Sequence, residues 1–183
     1  MEERSPKILE TEPGLRPRIL VGLDGSVGSA HALGWAIQLA TALDAEILAA
    51  HVFELTSATM AYGLAPITVP DQWLTDLQRE FEDEWAAPLK QGHVPYRTIF
   101  EPGIPAPTLI DIAARERADL IVAGSRGLGG FGELLLGSVS HQLVMHARLP
   151  VVVIPAEHRK DTVAAKTVEE PATLPVSALA APA

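Results

Sequence analysis

Five short apolar runs, separated by longer segments of helical pattern, constrain this chain more than any other feature. They are Arg18 to Gly22, Ala45 to Phe53, Val94 to Glu101, Asp119 to Ala123 and Pro150 to Ile154. Strands that show one face to water alternate apolar and polar residues. Most of these runs are nearly continuous in apolar residues, as strands buried on both faces are. The spacers carry the other period. Leu33, Ala36, Ile37 and Ala40 make one stripe in a helix from Val27 to Ala42, with Ser26 placed to cap it. Trp73, Leu77, Phe81 and Trp85 stand at four-residue steps in a second helix, from Asp71 to Lys90, and read as core anchors. A third helix opens near Pro105 and turns Leu109, Ile110 and Ala113 inward; a fourth spans Ser138 to His146. Strand and helix alternate throughout, so the fold class is α/β, a parallel sheet with helices on both faces.

The alternating region, residues 18–155, has the length of one ordinary domain. Residues 1–17 carry Pro6, Pro13, Gly14 and Pro17 without a period and read as a flexible lead-in. Residues 156–183, broken by Pro171, Pro175 and Pro182, read as a disordered tail.

Composition removes several function classes. The formal net charge is -9, which argues against a nucleic-acid partner. Much of the acid lies in Asp71, Asp76, Glu80, Glu82, Asp83 and Glu84 and reads as a solvated helix face. There is no cysteine, hence no disulfide, thiolate metal site or thiol nucleophile. That fits a cytoplasmic protein. No apolar run approaches the roughly 20 residues needed to cross a bilayer, and the first residues lack a secretory core. The histidines do not fall at metal-ligand spacing: His141 and His146 are five apart on one helix, and His51 reads as a satisfied core or edge residue. No catalytic set stands out.

One segment carries chemistry. Gly124-Ser125-Arg126-Gly127 follows the fourth strand, and after nine residues Gly137-Ser138-Val139-Ser140 opens the fourth helix. Glycines let a ligand approach the backbone, and a helix N-terminus offers unpaired N–H groups to an anion. The segment reads as a phosphate cradle, hence a nucleotide site; spacing alone leaves a ligand-free glycine crossover equally open. The P-loop and dinucleotide fingerprints are absent, because no Lys-Ser or Lys-Thr follows the second glycine and Gly22-Leu23-Asp24-Gly25-Ser26-Val27-Gly28 does not fit Gly-x-Gly-x-x-Gly. Asp24, taken alone, reads as a turn or cap former.

Four matches in order resemble the universal stress proteins: Ile19 to Ser26; Glu101 to Ala106; Ala118 to Gly127 with Gly137 to Ser140; and Pro150 to Pro155. The resemblance covers the core and implies a doubly wound five-stranded parallel sheet of order 3-2-1-4-5. The carboxyl ends of strands one and four would then flank the point where strand order reverses, the crevice in which such sheets bind ligands. In ATP-binding members the glycine motif holds ribose and phosphates. By resemblance Gly124, Arg126, Gly127, Gly137, Ser138, Val139 and Ser140 line that region, Val52 and Ala123 lie on the adenine side, and Gly22 and Asp24 sit beside the nucleotide. Arg126 reads equally as a phosphate partner or a solvated loop residue. Asp24 is also the candidate for holding Mg²⁺ against phosphate oxygens. The implied function is an ATP-binding regulatory or signalling module in which nucleotide orders residues 126–136. Slow ATP hydrolysis or nucleotidyl transfer, and a nucleotide-free dimeric scaffold, are the alternatives. The resemblance also implies a homodimer through strand five, Val151, Val152, Val153 and Ile154, and an unnamed protein partner.

Overall fold

A computed structural model describes residues 16–54, 71–127 and 136–155. Five parallel strands form one sheet: β1 (Arg18–Gly22), β2 (Glu46–Phe53), β3 (Tyr96–Pro102), β4 (Leu120–Gly124) and β5 (Val151–Ile154). Their order is β3-β2-β1-β4-β5, with β1 central and β3 and β5 at the edges. Ile19 faces Ile47 on one side and Leu120 on the other, which fixes the register at the centre.

Alternation along each strand sends residues to two cores. On one face Ile19, Val21, Ile47, Ala49 and Val122 pack against α1 (Val27–Leu43) through Ala32, Leu33, Ala36 and Ala40. On the other, Leu20, Leu48, Ala50 and Ile121 pack against α4 (Pro105–Arg115) and α5 (Ser138–His146) through Leu109, Ile112 and Leu143. Ser26 caps α1, its Oγ accepting from the Ser29 N–H at 3.1 Å. Helices therefore cover both faces of a doubly wound sheet.

The single helix expected from Asp71 to Lys90 is three pieces. α2 (Asp71–Glu80) runs into a π-helical turn (Phe81–Trp85), closed by Ala86 N–H donating to the Phe81 carbonyl at 2.9 Å, and then into α3 (Ala87–Gln91). Pro88 explains the break: it has no N–H for the preceding turn, and its ring obstructs a continuing helix. The aromatic stripe divides accordingly. Phe81 is fully buried and Trp85 partly so, but Trp73 is 47% exposed and joins neither core among the described residues. Four-residue steps gain about 40° each on a 3.6-residue helix, so Trp73 has turned away from the face that Phe81 buries. Residues 1–15 of the expected lead-in, the expected tail 156–183, and residues 128–135 of the glycine loop lie outside the described residues.

Candidate functional site

The turn after β1 is built by its own side chains. Leu23 N–H continues the sheet ladder to the Ala50 carbonyl at 2.8 Å. Asp24 Oδ1 then accepts from Ser26 N–H at 3.0 Å and from Ser26 Oγ at 2.6 Å. Gly25, at φ +77°, lets the chain reverse into α1. Asp24 is thus both turn former and rim residue. Its other oxygen, Oδ2, faces Gly127.

The second turn closes on itself. Ser125 carbonyl accepts from Gly137 N–H at 2.7 Å and from Ser140 Oγ at 3.1 Å, and Ser140 Oγ also reaches the Gly137 carbonyl at 3.0 Å. These bonds bring the two distant halves of the glycine segment together. Residues 128–135 between them are outside the described set. Gly137 is the N-cap of α5 and brings no side-chain cap. The N–H groups of Ser138, Val139 and Ser140 precede the first helical bond, from His141 N–H to the Gly137 carbonyl at 2.9 Å, and form a positive helix end suited to an anion.

The three glycines differ in what fixes them. A Cβ on Gly124 would meet the α1 backbone, so helix packing by itself requires glycine there. A Cβ on Gly127 would collide with Asp24 Oδ2. A Cβ on Gly137 would find its nearest neighbours, Arg126 Cα and Ser125 O, at 3.5 Å, an ordinary contact.

Between the two turns, at the carboxyl ends of β1 and β4, lies a cavity of about 490 Å³, within the size range of small-molecule sites. The structure brings all eleven expected residues to it: Gly22, Asp24, Val52, Ala123, Gly124, Arg126, Gly127, Gly137, Ser138, Val139 and Ser140. Leu23, Ser29, Ala50, Pro105 and Leu109 line it as well and were missed. Ala50 was within reach, since it lies two residues from Val52 on the same face of β2. Pro105 and Leu109 were read as helix start and core; nothing in a helical period says which end of the sheet an inward residue overlooks.

The lining is divided chemically. Ala50, Val52, Leu109 and Ala123 give an apolar wall, while Gly127, Ser138 and the start of α5 give backbone and hydroxyl groups. Asp24 and Arg126 are the charged residues among the described lining. Such a cavity suits a flat apolar group carrying an anionic tail. Among the described residues no group of three His, Asp or Glu could hold a metal, so a divalent cation here would draw on Asp24 and on ligand oxygens.

On the opposite face of β2, His51 is buried among Phe81, Trp85 and Phe100. Its Nδ1 lies 2.7 Å from the Leu23 carbonyl. A carbonyl only accepts, so Nδ1 carries the proton. Burial holds the His51 pKa below its ordinary value, although the Leu23 carbonyl, Asp24 and Glu80 pull the other way.

Comparison with known proteins agrees with this geometry. The sequence profile of the Universal stress protein family matches residues 16–155. Universal stress protein YxiE of Bacillus subtilis is 32% identical over 144 residues, which cover 75% of this chain and 97% of that protein. Two solved structures share the fold. A universal stress protein in complex with cAMP has a TM-score of 0.55 at 24% identity, covering 78% of this chain and 98% of its own. A family protein from Arabidopsis thaliana with AMP bound has a TM-score of 0.55 at 20% identity, covering 81% and 97%. Sheet order, profile and close relatives converge, and the chain belongs to the universal stress protein family.

Proposed function

We propose that this protein binds ATP in the cavity between β1 and β4 and acts as a nucleotide-dependent regulatory module. The observation that carries the reading is the convergence of the two turns. An uncapped helix end and the glycine backbone stand opposite an apolar wall, at the point where strand order reverses. The adenine ring would lie against Val52 and Ala123, the ribose near Asp24, and the phosphates on Gly127, Gly137, Ser138, Val139 and Ser140, with Arg126 alongside. That two proteins of the same fold hold AMP and cAMP supports an adenine nucleotide. Mg²⁺ would be held by Asp24 together with phosphate oxygens, offsetting the repulsion between that carboxylate and a triphosphate.

A nucleotide can regulate only by binding one conformation better than another. We place the readout at β5, whose outer edge carries no further strand among the described residues and is able to pair with a second copy. The setting is the cytoplasm; among the described residues no helix is long and apolar enough to cross a membrane.

Calorimetric titration with MgATP tests the reading. The wild-type protein gives a saturable signal, weakened by chelating Mg²⁺, and the folded Gly127→Ala, Gly137→Ala double variant gives none. Undiminished affinity in that folded variant puts the phosphate site elsewhere. Mass analysis of small molecules released on denaturation identifies which adenine nucleotide the protein retains.

A further inference from the structure

We propose that His51 and Trp85 brace the cavity from the opposite face of the sheet, holding in place the turn that carries Asp24. The residue order of β2 is the first argument. From Ile47 to Phe53 every residue but His51 is apolar, and all are buried. An imidazole there costs desolvation that a leucine would not, so its polar atom must be used. Among the described residues it is used on one atom: Nδ1–H donates to the Leu23 carbonyl at 2.7 Å. Beyond Gly22 the chain leaves the sheet for α1, and Leu23 is the last residue before Asp24. His51 therefore fastens the main chain at its point of departure.

Trp85 fastens the next residue but one. A Cβ on Gly25 would lie 2.7 Å from Trp85 Cε2 and 2.8 Å from Cζ2, so the indole lies directly on the Gly25 backbone. Trp85 is itself held twice. Its Nε1–H donates to Glu80 Oε1 at 3.2 Å, and its ring meets His51 edge-on at 4.9 Å between centroids. The path runs Glu80, Trp85, His51, Leu23, Asp24. The π-helical turn that bends the chain after α2 sets Trp85 in it. Neither side chain touches the cavity; both are positioning residues.

Amide hydrogen exchange on the ligand-free protein tests the brace without reference to any ligand. His51→Phe keeps an aromatic ring and removes the donor. Exchange over Leu23–Ser26 rises about tenfold, while peptides from β3 and α4 stay unchanged. His51→Asn sets an amide N–H close to the Nδ1 position and restores protection, and Trp85→Leu exposes the same peptide with the imidazole intact. Unchanged exchange over Leu23–Ser26 in His51→Phe overturns the proposal. If that variant loosens the whole sheet, His51→Asn decides: restored protection supports the brace and unrestored protection overturns it. The binding arm rests on the nucleotide reading above. MgATP affinity falls about tenfold in His51→Phe and recovers in His51→Asn. A wild-type protein that ignores MgATP, beside a Leu23–Ser26 peptide that still loosens, removes the nucleotide reading and leaves the brace standing. Unaltered MgATP affinity in His51→Phe, with the wild type binding, removes the brace's role in the site.

Discussion

Gly124 and Gly28 meet backbone to backbone: a Cβ on Gly124 would lie 2.6 Å from the Gly28 carbonyl carbon and 2.7 Å from its oxygen. Neither neighbour is a side chain that can swing aside. Gly124→Ala must push α1 off β4, and an overpacked contact of that kind costs about 2 to 3 kcal/mol. Urea unfolding should show the loss as a lowered midpoint with an unchanged slope.

Gly137→Ala should behave in the opposite way. Its methyl group meets nothing closer than 3.5 Å among the described residues, so stability stays within about 1 kcal/mol of wild type. The same methyl group would stand at the start of α5, where phosphate would rest. Calorimetry should show MgATP affinity reduced at least about tenfold. Two glycines of one motif thus separate into a folding defect and a binding defect.

Gly127→Ala stands between them. The atom its methyl group meets is Asp24 Oδ2, the free end of a side chain, which can rotate away. The Asp24 Oδ1 bonds to Ser26 are lost in that rotation. Stability should fall by about 1 kcal/mol, and the Mg²⁺ dependence of ATP binding should weaken. Titrations with and without chelator measure both.

How far the sequence revealed this can be judged residue by residue. Strands and helices followed from period, because burial on two faces leaves a pattern in the residues themselves. Periodicity carries no strand order; that came from the family resemblance. The motif at Gly124 was visible, but the packing of α1 against that glycine was not, because a glycine needed for helix approach and one needed for ligand approach look alike in one dimension. Trp73 misled for a similar reason: four-residue spacing imitates a stripe until the accumulated rotation is counted. His51 was recognisable as a core residue, but its acceptor, Leu23, lies 28 residues away in sequence, and only the pairing of β1 with β2 brings them together.

Stability should depend on pH through His51. Its folded pKa is lowered by burial, against the opposing pull of the Leu23 carbonyl, Asp24 and Glu80, while in the unfolded chain it returns to about 6.5. Below that value the unfolded state takes up a proton that the folded state resists, so stability falls as pH drops from 6.5 toward the folded pKa, and is fully present above 6.5. Urea midpoints from pH 8 to pH 5 should decline on that limb, and His51→Phe should flatten it. Glu116, held low chiefly by its hydrogen bond from Arg97, acts in the same direction only at more acid pH.

Assembly can be checked at the edge of the sheet. Val152 and Ile154 of β5 pack on one core and Val151 on the other, which leaves Val153 as the residue whose replacement disturbs packing least. Light scattering should give a dimer for the wild type at micromolar concentration and a monomer for Val153→Lys, since lysine on an edge strand opposes pairing.

Ser125 bonds in two directions. Its N–H donates to the Ile154 carbonyl at 2.7 Å, and its own carbonyl receives Gly137 and Ser140. One residue is therefore a shared hinge pin between the edge strand β5 and the rim of the cavity. A nucleotide resting on Gly137 and Ser140, as proposed above, would have one residue, Ser125, between it and the edge strand β5.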